Sequence, residues 1–264
     1  RAGLTKTEEL LTALSEHIEK LQTTPGRLHQ SLEESSFDAW IKLYRPDENS
    51  INTTISYYTK GAVVAWLLDA VIRTATSSAK SLDDLLRLLY ERHSGKLGYT
   101  DPDLQRGAEE IAGTSLESFF ARAVRSREEL DYADALRVFG LRFRPARSGL
   151  PETTPLVWMG IDTAQRDGKL LVAAVREDGP AHTAGLSAED EILAVGGFRV
   201  DPRTLPERLQ QFRAGDRVDV LVARRDAIRT LPLVLCEHPG SPWRLEIDPE
   251  ASPEAVKERE AWMA

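Results

Sequence analysis

The chain has 264 residues, enough for two domains of ordinary size that each bury a core without disulfides or metals to hold them. With 34 Lys and Arg against 42 Asp and Glu, the net charge is -8 and the basic residues are scattered, which excludes an electrostatic footprint for nucleic acid. A single cysteine, Cys236, excludes an internal disulfide and a cysteine-rich zinc site, and no apolar run approaches the ~20 residues that cross a bilayer.

The first ~140 residues carry apolar positions at intervals of three and four, with turn residues between the periodic blocks, which predicts four or five helices. Thr5 and Glu8 have capping-box spacing, and the stripe Leu10, Leu11, Leu14, Ile18, Leu21 runs to Pro25-Gly26. From Gly61 the broad apolar face of Val63, Val64, Leu67, Leu68, Val71 and Ile72 marks a helix packed deep in its domain. Ser81 caps a helix carrying Leu82, Leu85, Leu86 and Leu89, Thr100-Asp101-Pro102 opens another, and Ser115 caps a fifth with Leu116, Phe119, Phe120 and Val124 inward. Trp40 and Trp66 read as buried anchors.

Between Leu141 and Pro155 neither period survives the run of Arg, Pro, Gly and Thr, so residues 141–154 are expected to link a helical domain (1–140) to a second domain (155–237). There the signal changes to short β-branched runs, Leu170–Val175, Glu191–Val195, Val218–Ala223 and Thr230–Leu235, with one helix at about Thr204 to Phe212. The tail 238–264 is rich in Pro and ends in a short helix-compatible stretch, expected to pack on a neighbour or fray. The fold class is therefore multi-domain, an α-helical bundle followed by an α+β module.

Trp158-Met159-Gly160-Ile161, Asp178-Gly179-Pro180-Ala181-His182-Thr183-Ala184-Gly185-Leu186 and Asp190-Glu191-Ile192-Leu193-Ala194-Val195-Gly196-Gly197 together resemble a PDZ domain of the bacterial protease-associated type. Two departures stand out: Glu189 where glycine is usual, and Gly196 where asparagine is common. The resemblance implies a β-barrel or sandwich with two helices that binds an extended peptide beside the strand beginning at Ile161. The peptide C-terminus would meet backbone N–H groups near Met159, Gly160 and Ile161. Leu205, Leu209 and Phe212 line the neighbouring helix, most of that face being core, and Asp162 and Arg208 mark the rim.

Ser35-Ser36-Phe37-Asp38-Ala39-Trp40, Tyr44-Arg45-Pro46-Asp47-Glu48-Asn49-Ser50 and Ser56-Tyr57-Tyr58-Thr59-Lys60-Gly61 resemble, in that order, the glycyl aminopeptidases, zinc peptidases of the gluzincin group. The resemblance runs from Arg1 through the second domain. It implies that Tyr58, with Tyr57 as the register alternative, donates to the oxyanion of a tetrahedral intermediate. Arg45, Asp47, Glu48 and Asn49 would contact a substrate amine or hold their own loop. No H-E-x-x-H occurs, and His17, His29, His93, His182 and His238 never share the i, i+3 or i, i+4 spacing of helical ligands. The resemblance thus implies the C-terminal part of an enzyme that releases a small N-terminal residue such as glycine. Zinc belongs to the intact parent, and none is expected on this chain.

Two function classes follow: a peptidase part inactive by itself, or a non-catalytic peptide-binding protein acting only through the PDZ-like groove. The partners expected are a peptide substrate or a peptide C-terminus, with neither nucleic acid nor a membrane span. An apolar patch near Tyr57, Tyr58 and Trp66 could drive self-association. A chain opening on Arg-Ala-Gly-Leu looks like a fragment or processed product, and its compartment stays open.

Overall fold

A computed structural model describes residues 6–96, 98–145 and 154–263. From the N-terminus come α1 (Thr7–Gln22), α2 (Leu32–Phe37), α3 (Ser50–Thr53), α4 (Tyr57–Ala75), α5 (Leu82–His93), α6 (Asp101–Ala112), α7 (Glu117–Phe120) and α8 (Ala133–Phe139). The strands β1 (Leu141–Phe143), β2 (Val157–Trp158), β3 (Ile161–Arg166) and β4 (Lys169–Val175) lead to α9 (Pro180–Ala184). After these come β5 (Glu191–Val195), β6 (Phe198–Arg199), α10 (Thr204–Leu209), β7 (Arg217–Arg224), β8 (Ala227–Val234), β9 (Cys236–Glu237), β10 (Leu245–Ile247) and α11 (Pro253–Met263). Helices dominate the first half and strands the second, in agreement with the change of period along the sequence.

The chain divides into two units. One holds Arg1–Leu43, Ile55–Arg144 and Trp243–Ala264, and the other Tyr44–Thr54 and Pro145–Pro242. The helical unit is built around α4, whose Val63, Val64, Trp66, Leu67, Leu68 and Ile72 are all buried. Side chains of that size are worth ~1.5–3 kcal/mol each when fully removed from water, so this helix anchors the unit. The stripe on α1 packs into the same core through Leu11, Leu14, Ile18 and Leu21.

The caps act locally. Ser31 Oγ accepts from Glu34 N–H at 3.1 Å while Glu34 accepts from Ser31 N–H at 2.8 Å, and Ser81 and Thr100 open α5 and α6 in the same way. At α1 Glu9 accepts from Lys6 N–H at 3.1 Å, while Thr5, expected to cap this helix, lies outside the described residues. The fifth predicted helix is short: α7 gives way to a π-helical turn over Ala121–Arg125.

Leu141–Phe143, which composition alone puts in irregular chain, form β1 and pair antiparallel with β10. The tail therefore returns to the helical unit, where α11 buries Ala255, Arg259 and Trp262. Gly140 makes this possible. It has φ +57, and a Cβ there would meet Ala251 Cβ and Arg259 Nη1 at 2.8 Å, while its carbonyl accepts from Arg259 at 3.0 Å. Residues 146–153 of the expected linker lie outside the described residues.

The second unit is a six-stranded antiparallel sheet in the order β3-β4-β5-β7-β8, with β6 paired to β5. The strand β2 pairs separately with β9. Val172, Ile192, Val195, Val220, Val222 and Leu233 fill its core. Asp190, with no exposed surface, receives two bonds from the Arg224 guanidinium at 2.7 and 2.8 Å and one from Ser187 N–H at 2.9 Å. Glu189 explains the glycine that is usual at its position: its φ is +67, a conformation an L side chain adopts at a cost of roughly 1–2 kcal/mol. The helix read as ending at Phe212 stops at Leu209, and the bonds from Gln211 and Phe212 N–H to Arg208 and Leu209 carbonyls tighten the next residues into turns.

Candidate functional site

Tyr57 and Tyr58 form the first turn of α4, whose N-cap Ser56 accepts from Thr59 N–H at 3.3 Å. The next residues, Thr59 and Lys60, turn into the core, so the tyrosine pair faces outward. Tyr58 is 60% exposed and its ring lies 4.1 Å from that of Tyr57, tilted by 31°.

Lys60 is 2% exposed. Burial pulls its ammonium below the ordinary lysine range, opposed by the carboxylates of Glu129 and Glu34. Those carboxylates are themselves engaged, Glu34 by Arg127 at 2.6 Å and Glu129 by Arg27 at 2.8 Å. The Arg127 bond, then the Ser31 amide, lowers the Glu34 carboxyl to about 2. The sequence singles out Lys60 only as part of a turn; its burial under the first turn of α4 emerges from the fold.

Arg45, Asp47, Glu48 and Asn49 belong to the segment Tyr44–Thr54, grouped with the sheet unit, whereas Tyr58 belongs to the helical unit. Asp47 Oδ1 accepts from Asn49 N–H at 3.0 Å and from Ser50 Oγ at 2.8 Å. The Ser50 bond lowers its carboxyl first, and the Asn49 amide second. This carboxylate caps its own loop. Asn52 fixes the segment in place: its Nδ2 donates to Val175 carbonyl at 2.8 Å, and its Oδ1 accepts from Glu177 N–H at 2.9 Å. The amide group mimics a strand partner for the end of β4. Sequence reasoning missed Asn52, because nothing local marks a partner more than 120 residues away.

In the sheet unit β3 is an edge strand, the place where an added peptide strand would pair. Gly160, at φ +80, lies against Pro180 and Gly179, and a Cβ would meet Pro180 Cδ at 3.1 Å and Gly179 Cα at 3.2 Å. Its carbonyl accepts from Arg176 N–H at 2.9 Å, and the Arg176 guanidinium reaches Asp162 at 3.0 Å, so the rim residue Asp162 is held by an ion pair. Met159, Leu205 and Leu209 are all under 10% exposed and sit in the core cluster, with Ile161 packed against its edge. Arg208 lies over the Phe198 ring at 3.7 Å, outside the core.

A cavity of about 130 Å³ in the helical unit is lined by Leu67, Val71, Phe119, Glu128, Glu129 and Asp131 among others, and includes neither tyrosine. Among the described residues no group of three or more His, Cys, Asp or Glu is placed to hold a metal ion. The stretch Ser50–Ala75 is long and apolar enough to cross a membrane by composition alone, yet most of it is buried as the core helix of its unit. Trp66, expected at an apolar patch, is 5% exposed and stacks with Tyr132 and Phe139. Trp40, expected to be buried, is 80% exposed; the turn carrying it buries Ala39 instead.

Residues 1–64 match the family model of the M61 glycyl aminopeptidases, and residues 157–235 match that of the PDZ domain. Among solved structures, the aminopeptidase N family protein from Idiomarina loihiensis superposes with a TM-score of 0.87 at 26% identity, over 99% of this chain and 45% of that chain. The chain thus spans less than half the length of that relative. A serine endoprotease from Yersinia pestis is matched with a TM-score of 0.29 at 23% identity, over 32% of this chain and 30% of that one. The HtrA-type protease AlgWS227A with decapeptide gives 0.31 at 21%, over 38% and 32%. No curated protein matches the sequence. Residues 1–64 are thus similar to the M61 glycyl aminopeptidases and residues 157–235 to PDZ domains, and an aminopeptidase N family structure shares the fold over nearly the whole chain.

Proposed function

We infer that this chain, similar to the M61 glycyl aminopeptidases and bearing a PDZ domain, is the C-terminal part of a zinc-dependent aminopeptidase whose intact form releases a small N-terminal residue such as glycine. The observation that carries the reading is the match of residues 1–64, Tyr58 included, to that family, continued over nearly the whole chain by an aminopeptidase structure. The described residues offer no ligand set for zinc, so the metal would be held by polypeptide outside them.

What this chain supplies is a donor. As a scissile carbonyl becomes tetrahedral, the Tyr58 phenol donates its O–H to the oxygen where negative charge gathers, a contribution of about 3 kcal/mol in a pre-organised site. Its exposure leaves it open to a substrate. Asp47 holds its own loop, in which Arg45, Glu48 and Asn49 are further candidates for contact with a peptide. The PDZ groove, at Met159, Gly160 and Ile161 and beside Leu205 and Leu209, takes an extended peptide C-terminus.

The test is Tyr58→Phe in the full translation product of the gene. We expect kcat to fall about 100-fold with KM little changed, and Tyr57→Phe to stay near wild type. A loss carried by Tyr57→Phe alone moves the role to that residue, and no loss in either variant removes it from the pair.

A second reading, a peptide-binding protein without catalysis, is favoured by one observation: the PDZ match spans a sheet and core complete in themselves. An H-E-x-x-H with a following glutamate encoded upstream of Arg1 supports the enzyme, and a gene without it leaves the binder.

A further inference from the structure

We propose that the apolar face of Phe37, Trp40 and Ile41 is the docking surface for polypeptide that lies outside this chain and completes the peptidase part of the molecule. The proposal rests on the peptidase reading given above.

The three side chains are 89%, 80% and 70% exposed, within five consecutive residues. Helical hydrogen bonding continues past the end of α2, since Asp38 N–H donates to Glu34 carbonyl at 2.9 Å and Lys42 N–H to Asp38 carbonyl at 2.9 Å. Phe37 closes α2, and Trp40 and Ile41 stand in the turns that follow it, where Ile41 N–H donates to Asp38 carbonyl at 3.0 Å. Neighbouring positions are spent on packing: Ser35 and Ala39 are 2% and 5% exposed. Two aromatic rings of roughly 150–250 Å² each and an isoleucine display on the order of 500 Å², near the largest apolar patch an ordinary monomer tolerates. An ion pair of Lys42 with Asp38, 2.7 Å, supplies a polar margin. An apolar centre with a charged edge is how a buried interface is built.

The occupant follows from where the face lies. It falls inside residues 1–64, the part that matches the peptidase family, and the relative that superposes on 99% of this chain extends over more than twice its length. These outward residues are committed to a surface that other polypeptide covers.

Hydroxyl-radical footprinting, read by mass spectrometry on the peptide containing Phe37 to Ile41, tests this on the 264-residue chain and on the full translation product of the gene. Ready oxidation is expected in the chain alone, with about tenfold or greater protection in the full product, because a docked apolar core excludes water. Equal oxidation in both overturns the proposal, as does a gene that encodes no further polypeptide. Protection that grows with concentration of the chain alone names a second copy as occupant and overturns it too. Zinc analysis of the same full product separates the readings. Bound zinc with unprotected rings defeats the docking surface and leaves the peptidase reading intact. Protection without zinc does the reverse.

Discussion

The sheet unit and the helical unit treat their apolar side chains differently. In the sheet unit the exposed ones, Tyr44, Leu156, Phe198, Ile228 and Val234, are spaced at least six residues apart along the chain, and the Arg208 guanidinium covers the Phe198 ring. Its buried carboxylate, Asp190, is matched inside the unit by Arg224. In the helical unit three large apolar residues are concentrated within five consecutive residues, and the tyrosine assigned to chemistry stands at the start of a helix facing outward. A binding module can be self-sufficient because an edge strand and a glycine turn are all its groove needs. On the proposed reading, one part of a larger active site exposes apolar side chains that further polypeptide covers.

The strongest way to break this contrast is to remove the self-sufficiency of the sheet unit. Asp190→Ala strands the partly buried Arg224 and the Ser187 amide, and breaking a buried pair of this kind costs about 3–5 kcal/mol. We expect the urea midpoint of the sheet unit, followed by β-sheet amide exchange, to fall sharply while helical ellipticity persists. If both signals collapse at one midpoint, the two units unfold as one and the contrast fails.

A smaller effect sharpens it. Asn52→Ala removes the bonds to Val175 carbonyl and Glu177 N–H, each worth ~0.5–1.5 kcal/mol net. Faster exchange of the Glu177 amide is the expected outcome. Unchanged protection there would mean that Asn52 does not tie its segment to β4.

The smallest effect is a pH dependence confined to the helical unit. The Glu34 carboxyl, at about 2 in the folded chain against an ordinary 4.5, contributes stability that is present above pH 4.5 and is lost as pH falls from there toward 2. Because the Arg127 pair is exposed, screening keeps this contribution modest. Arg127→Met should flatten the acid limb of helical melting and leave that of the sheet unit alone. An unaltered acid limb would show that Arg127 is not what holds the carboxyl down.

Much of the fold is legible in the sequence where neighbours along the chain decide it. The stripe of α1, the apolar breadth of α4, the Ser81 and Thr100 caps and the short helix from Pro180 to Gly185 all follow from residues within one or two turns. The candidate tyrosines and the glycine turn of the groove are legible for the same reason, as short motifs. Trp40 and Trp66 show the limit. Trp66 lies on α4 and is buried, whereas Trp40 falls in the turns after α2 and is exposed, because which side chain meets the core depends on what packs against it.

The sequence by itself determined the order of a helical part and a β-rich part, the caps that start the helices, and the motifs at Tyr57-Tyr58 and Trp158–Ile161. These rest on period, capping and turn chemistry, which act over a few residues. Only the tertiary structure decided that β10 pairs with β1, that Asn52 serves the end of β4, that Arg224 answers Asp190, and that Lys60 is buried beneath Tyr58's turn. The first three join positions tens to more than a hundred residues apart, and the burial of Lys60 depends on what the rest of its unit packs over it. Their energies come from desolvation and hydrogen-bond geometry, which exist only once the chain has brought the partners together.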